Sequence, residues 1–452
     1  MAVSIDVSRI IDQPRLGRLQ VLVIALCSAA AVIDGFDMLL MAFAASSIAQ
    51  KLDVDVSAFG TVFGLTSFGL MIGSLAFGSV ADRAGRKPMI VLAMTIIGLC
   101  SLLTPFTQSF TQLLVVRFFA GIGLGGLMPN IIALTAEYSP RQWRATVITV
   151  MFSGVSFGAI LAGILSAALF GVWGWQVVFY LGGALPFLLA FAFLLFLPES
   201  LSFLIVRKAS SARSLRILRR LDPGTQYGED VKLTLFGGQS GGGSVRLANL
   251  FSQGRAQVTP LLWLIFFCNL LVWFFLTNWL PTILQGASFS RERAALATAL
   301  LYAGGLIGGL VLGWMVDKRM SYGKLGLVYL VASLCVVAVG VTAAVDSPFI
   351  LPSLFAAGFF VGGAQYAINA LAANFYPTQL RSTGVGWALG IGRLGSILGP
   401  GLGGVLLASG WHIDQLIGVL GLPALLAGLA ATTIGLGLRR RNIEEETNVR
   451  FE

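Results

Sequence analysis

A chain of 452 residues that is 56% hydrophobic, only 11% charged and holds 55 glycines is no ordinary soluble globule, in which about one residue in four is charged. Its net charge of +10 would suit a nucleic-acid partner, but the distribution argues against one. Of 30 Lys and Arg, 25 fall in the N-terminus, one set of alternate loops and the C-terminus; three lie in the opposite loops (Lys51, Arg291, Arg293) and two in apolar segments (Arg117, Arg393).

Twelve long apolar segments start near residues 19, 57, 88, 111, 142, 175, 258, 292, 322, 348, 382 and 412. Each is near or above the roughly 20 residues that a spanning helix needs. Most lack the polar face of a soluble amphipathic helix. Omitting the nine basic residues from Arg207 to Arg255 still leaves sixteen against three, which places both termini in the cytoplasm. The basic N-terminus (Arg9, Arg15, Arg18) precedes an apolar run too long for a cleaved leader and broken by Asp34, so segment 1 is expected to be retained.

Segment 1 carries "AVIDGFDMLL", with Asp34 and Asp37 three residues apart and so on one helix face. Segment 2 ends in "GSLAFGSVADRAGRKP", where Gly73, Ser74 and Gly78 allow a close neighbour and Asp82 can face a helix N-terminus. Arg83, Arg86 and Lys87 hold that turn on the cytoplasmic side. Segment 4 holds Arg117 and ends at Glu137, beside Arg141 and Arg144. The polar stretch 199–257 contains "RKASSARSLRILRR", whose Leu215, Ile217 and Leu218 predict a short amphipathic helix on the membrane surface, and a flexible "GGQSGGGS" linker. Segment 7 offers Asn269, Trp273 and Asn278, and segment 10 offers Gln365, Tyr366 and Asn369. Each set presents amide and aromatic groups that suit a ring bearing a hydroxyl. Segment 11 contains Arg393. Trp173, Trp175 and Trp411, near segment ends, are assigned to the interface belt. Cys27, Cys100, Cys268 and Cys335 lie within apolar segments without metal-ligand spacing and are expected to be free thiols.

The two halves repeat. "GSLAFGSVAD" matches "GGLVLGWMVD" at an offset of 235, while "SPRQWRAT" matches "YPTQLRST", and Pro186 matches Pro423, at 237. Residues 1–198 and 258–452 therefore read as two six-helix bundles joined by 199–257, an all-α transporter architecture that rocks around a central site. Asp34, Asp37, Arg117, Glu137 and Arg393 have no counterpart in the other half. An ionisable group at a helix centre costs about 2.5–3.5 kcal/mol on insertion scales and is functional by default. Asp34 and Asp37 are read as proton carriers. Arg393 is read as a carboxylate holder, since its guanidinium fork matches that group. Arg117 suits either substrate binding or a structural ion pair, and Glu137 either a gating salt bridge or proton coupling. An intramembrane enzyme would need a nucleophile with a base, or metal ligands; the only histidine is His412, at a helix end, and no cysteines cluster. A receptor would need a signalling domain that the central loop is too short to supply.

The loop after segment 2 resembles the signature of the major facilitator superfamily, and the likeness covers essentially the whole chain. It implies a conformational latch, so Asp82, Arg83, Arg86 and Asp317 are assigned to gating, together with the repeat-related Arg144 and Arg381. "DGFD" resembles the signature of the aromatic acid:proton symporters, with Arg117, Glu137, Arg381 and Arg393 falling where that branch has a charged residue. This implies a benzoate- or hydroxybenzoate-type acid carried inward with protons across the inner (plasma) membrane, by a monomer needing no cofactor or metal. One departure is the loop "DKRMSYGK" after segment 8, which lacks a histidine that members can carry there. "LPESLSFL" resembles the exit of helix 6 in sugar porters, and reads equally well as a helix end stopped near a proline. A carrier of another small organic acid, sugar or polyol, or an exporter, remains open.

Overall fold

The computed structural model describes residues 4–6, 10–13, 16–206, 211–221, 232–234, 247–252, 255–287, 289–317, 321–345, 347–377 and 380–451. Among them are twelve helices long and apolar enough to cross a membrane. They are α1 (Arg18–Leu52), α2 (Phe59–Ala84), α3 (Arg86–Leu103), α4 (Phe110–Tyr138), α5 (Arg144–Trp173) and α6 (Gln176–Phe196). After the long loop come α7 (Val258–Gly286), α8 (Arg291–Asp317), α9 (Tyr322–Ala344), α10 (Ile350–Phe375), α11 (Arg381–Ala408) and α12 (Gly421–Phe451). The protein is thus an integral membrane protein of helical architecture. A three-residue parallel pairing of Ser4–Asp6 with Lys232–Thr234 is a small addition to the all-helical expectation.

The outward residues are apolar, as lipid requires. Leu188, Phe191 and Leu194 of α6, and Leu327, Leu334 and Val341 of α9, are all exposed. Inside, glycines bring helix backbones together. A Cβ on Gly35 of α1 would lie 1.9 Å from the Val155 carbonyl oxygen of α5, and one on Gly158 of α5 would lie 1.9 Å from that of Val32. The glycine of "DGFD" is therefore a packing residue. The carboxylate two positions later points elsewhere, towards α3 and α4.

The chain forms two compact units: one of residues 1–38, 68–159 and 176–243, the other of 39–67, 160–175 and 244–452. This division does not follow the sequence repeat, because it cuts α1, α2 and α5. Contacts within the second unit explain why. Ideal Cβ atoms on Gly60 of α2 and Gly404 of α11 would lie 2.9 Å and 3.0 Å from each other's Cα, leaving no room for side chains. The Phe63 ring meets that of Trp279 edge-on at 5.4 Å, and Trp279 Nε1 donates to the Pro400 carbonyl at 2.8 Å. Gly163 of α5 meets Ala295 and Ala299 of α8 in the same way, so the parts of α2 and α5 in this unit pack with α7, α8 and α11.

The amphipathic helix forms over Ser211–Leu221, but not as a membrane-surface element. Leu215, Ile217 and Leu218 are buried in the apolar core of the first unit, with Leu201, Leu204 and Tyr138. Protein, not lipid, covers the apolar face, while Arg216, Arg219 and Arg220 remain exposed.

Candidate functional site

In the first unit, α1, α3 and α4 converge on Asp37. Arg117 of α4 donates from Nη2 to Asp37 Oδ2 at 3.2 Å, and Ser101 of α3 donates its hydroxyl to Oδ1. Both members of this ion pair are sealed from solvent, at 1% and 0% side-chain exposure. A lone charge there would be untenable, so each ion makes the other possible. Asp37 uses only one of the three guanidinium nitrogens: Nε and Nη1 of Arg117 are buried without a hydrogen-bond partner. Asp34, one turn earlier, is also buried. The structure therefore gives Asp37 and Arg117, 80 residues apart, one shared position. Ser101 was missed in the sequence, since a serine in an apolar run carries no signal of its own.

A second cluster closes the α2–α3 turn. Arg86 Nε lies 3.1 Å from Glu137 Oε1, and Ser200 donates to Glu137 Oε2 at 2.6 Å. Glu199 Oε1 accepts the backbone N–H groups of Arg86 at 2.9 Å and Lys87 at 3.1 Å, so a carboxylate caps the positive N-terminus of α3. Gly85 makes this possible: its φ of 99° suits glycine, and a Cβ there would come within 2.5 Å of Glu199 Oε2. Tyr138 donates its hydroxyl to the Glu199 carbonyl at 2.9 Å. Glu199 lies in "LPESLSFL", so that motif is the hub of this cluster and more than a helix end. Arg144 Nη2 reaches the Ser139 carbonyl at 3.4 Å. Asp82, Arg83 and Arg381 are exposed, and the side chain of Asp317 lies outside the described residues.

In the second unit, α7, α8 and α10 build an amide and aromatic wall. Asn269 donates from Nδ2 to Gln365 Oε1 at 2.7 Å, and Gln365 donates from Nε2 to Asn369 Oδ1 at 3.0 Å. Gly305 and Gly309, one turn apart on α8, make room for two rings. Ideal Cβ atoms there would come within 3.0 Å of Trp273 and 2.7 Å of Tyr366. Gly362 of α10, packed beside Gly305, leaves space for the same edge of the Trp273 ring, with 2.7 Å to an ideal Cβ. Tyr302, also missed in the sequence, meets Trp273 edge-on at 5.2 Å. A π-helical turn at Gly358–Gly362 widens α10 just before Gln365, a local form common at functional sites. Gln365, Tyr366, Asn369 and Trp273 are each half-buried. Asn278 instead bonds its own helix, at the Phe274 carbonyl.

Arg393 of α11 is half-buried in the same unit. Gly392 and Gly395, on either side of it, pack against Phe266, Phe267, Leu270 and Leu271 of α7, which sets Arg393 at the level of Asn269 along α7. Among the described residues, no group of His, Cys, Asp and Glu could hold a metal ion.

A family model described as Major Facilitator Superfamily matches residues 26–400 and again 262–450. The chain is 38% identical over 431 residues to the gallate transporter of Pseudomonas putida, covering 95% of each chain. It is 37% identical over 434 residues to the 4-hydroxybenzoate transporter PcaK of the same organism, covering 96% of each. With the benzoate transport protein of Acinetobacter baylyi it shares 32% over 415 residues, 90% of this chain and 88% of the other. The fold is similar to the partially occluded, inward-open xylose transporter XylE of E. coli, with a TM-score of 0.69 and 14% identity, over 91% of this chain and 98% of that one. Twelve spanning helices, a family match across both halves and full-length likeness to aromatic acid carriers agree: the chain is no enzyme but a membrane transporter, and it belongs to the major facilitator superfamily, resembling its aromatic acid:proton symporter family.

Proposed function

We propose that this transporter takes up an aromatic carboxylate of the benzoate or hydroxybenzoate type together with protons, by alternating access of its two repeated halves. The observation that carries this reading is the buried Asp37–Arg117 pair, in which Arg117 keeps two unpartnered donors. A proton on Asp37 removes the counter-charge of Arg117 and leaves a cation in a low-dielectric interior. The negative charge of an arriving acid offsets that cation through space, without leaving Arg393. Proton and anion therefore favour each other's binding, which is what symport requires. Asp34 is a second proton carrier, and Glu137, tied to Arg86, couples the α2–α3 turn to α4. In the second unit Arg393 holds the substrate carboxylate, and Trp273 and Tyr366 supply ring faces. The named relatives carry gallate, 4-hydroxybenzoate and benzoate, which supports this substrate class.

The asymmetry of basic residues supports an inner (plasma) membrane protein with cytoplasmic termini. We assign gating to Asp82, Arg83, Arg86, Arg144, Asp317 and Arg381, and take the working unit to be a monomer. The test is accumulation of labelled 4-hydroxybenzoate in proteoliposomes with an alkaline interior. Accumulation should vanish when a protonophore collapses the gradient, and glucose should not compete. Equal uptake with and without the gradient would remove proton coupling. Competition by glucose would remove the aromatic acid.

A further inference from the structure

The amide chain in the second unit has a direction. Asn269 gives its N–H to Gln365, and Gln365 gives its N–H to Asn369. Every carbonyl oxygen along it except the first is thereby used. That first oxygen, Asn269 Oδ1, is left without a hydrogen-bond partner on a residue only 2% exposed. A buried acceptor without a donor is costly, and α7 offers no remedy, since its backbone N–H groups serve the helix. Trp273 stands one turn along α7, beside Gly305 and Gly362, with the Tyr302 ring at its edge. The wall thus combines aromatic rings with one buried acceptor.

We infer that Asn269 Oδ1 receives the phenolic O–H of the substrate, and that this transporter selects hydroxylated benzoates over benzoate itself. The inference rests on the aromatic-acid reading above and sharpens it. Benzoate has acceptors and no hydrogen-bond donor, so it leaves Asn269 unsatisfied. A ring hydroxyl donates where the chain is open, and the bond from Asn269 Nδ2 to Gln365 leaves the Asn269 oxygen as that open end. Arg393, at the same level of α7 by the Gly392 and Gly395 contacts, is the carboxylate partner that the proposed function already names. Polar groups built to pair a hydroxyl discriminate strongly against the analogue that lacks it, because the protein group is then left unpaired.

The experiment is a binding series on the purified full-length protein, by calorimetry, with benzoate, the three monohydroxybenzoates and the methyl ether of the tightest of these. We expect one hydroxybenzoate to bind about five- to a hundredfold more tightly than benzoate. Its methyl ether, which keeps the oxygen but not the donor, should lose that advantage entirely. In Asn269→Leu the ratio of hydroxybenzoate to benzoate affinity should collapse to about one. The inference is overturned if wild type binds benzoate and all three hydroxybenzoates alike, or if the methyl ether binds as tightly as its parent. It is also overturned if Asn269→Leu weakens every acid by the same factor. These wild-type comparisons decide the matter even if the variant does not fold. Failure to bind any aromatic acid would overturn the proposed function, and this inference with it.

Discussion

The first unit keeps a full charge pair in its interior, Asp37 with Arg117, while the second keeps a neutral chain, Asn269, Gln365 and Asn369. Both bury polar groups where water is scarce, and they do so under different rules. An ion pair is all or nothing: removing one charge strands the other, at about 3–5 kcal/mol. An amide chain loses one hydrogen bond at a time, about 0.5–1.5 kcal/mol each. The pair is therefore suited to a switch thrown by one proton. The chain is suited to grading similar ligands.

The sharpest way to break this comparison is Asp37→Asn. Accumulation driven by a pH gradient should fall to background. Arg117→Gln should strand Asp37 and lower stability by about 3–5 kcal/mol, read as a fall in thermal midpoint. The double variant Asp37→Asn, Arg117→Gln should recover much of that stability and none of the coupling. If it still accumulates substrate against a gradient, the pair is a structural clamp alone.

Next in size is Arg393. Losing a charge-assisted hydrogen bond costs about 1.5–3 kcal/mol, or roughly ten- to over a hundredfold in affinity. Arg393→Ala should show this for an aromatic acid and little of it for the corresponding amide, which has no carboxylate. Arg393→Lys should fall between, keeping charge but losing the fork. Equal losses for acid and amide would mean that Arg393 shapes the wall without touching the carboxylate.

Gly362→Ala sharpens the neutral side of the comparison. Its methyl would press on Trp273 from 2.7 Å, and overpacking of this kind costs about 1–3 kcal/mol. Affinity for the aromatic acid should drop about fivefold or more while proton coupling, measured as the ratio of uptake with and without a gradient, is retained. A lost ratio with normal affinity would place Trp273 in the coupling path.

The smallest effects belong to the cluster at the α2–α3 turn. Glu137→Gln weakens the tie to Arg86 and should lower turnover several-fold with little change in equilibrium affinity. Asp82→Asn, at an exposed position, should lower turnover less. The reverse order would make Asp82 the stronger part of the latch, and a large loss of affinity in either would place that residue in the substrate site.

Much of this was readable in advance because lipid imposes one demand on every spanning segment, an unbroken apolar run. Twelve such runs gave the twelve helices. The charges that interrupt them, Asp34, Asp37, Arg117 and Arg393, stood out for the same reason. What could not be read was partnership. Asp37 and Arg117 were each visible, yet nothing in a linear string says that residues 80 apart share a pocket, or that Ser101 completes it. Glu199 sat in a motif read either as a sugar-porter-like exit or as a helix end; α6 does end there, at Phe196, and the string did not show that Glu199 also caps the start of α3. The membrane-surface placement of Ser211–Leu221 failed because amphipathicity states that a face will be covered, not by what. Likewise the repeat marks two halves, while contacts such as Gly60 with Gly404 group the folded chain differently.

Trp279 turns one of those contacts into an optical gauge. Its indole N–H is bound to the Pro400 carbonyl and its ring lies against Phe63, so its emission is that of a dry, hydrogen-bonded indole. Any step that draws α2 away from α7 and α11 admits water to that ring and shifts its emission to the red. A protein retaining Trp279 alone of its nine tryptophans would report that step by colour, with no label attached.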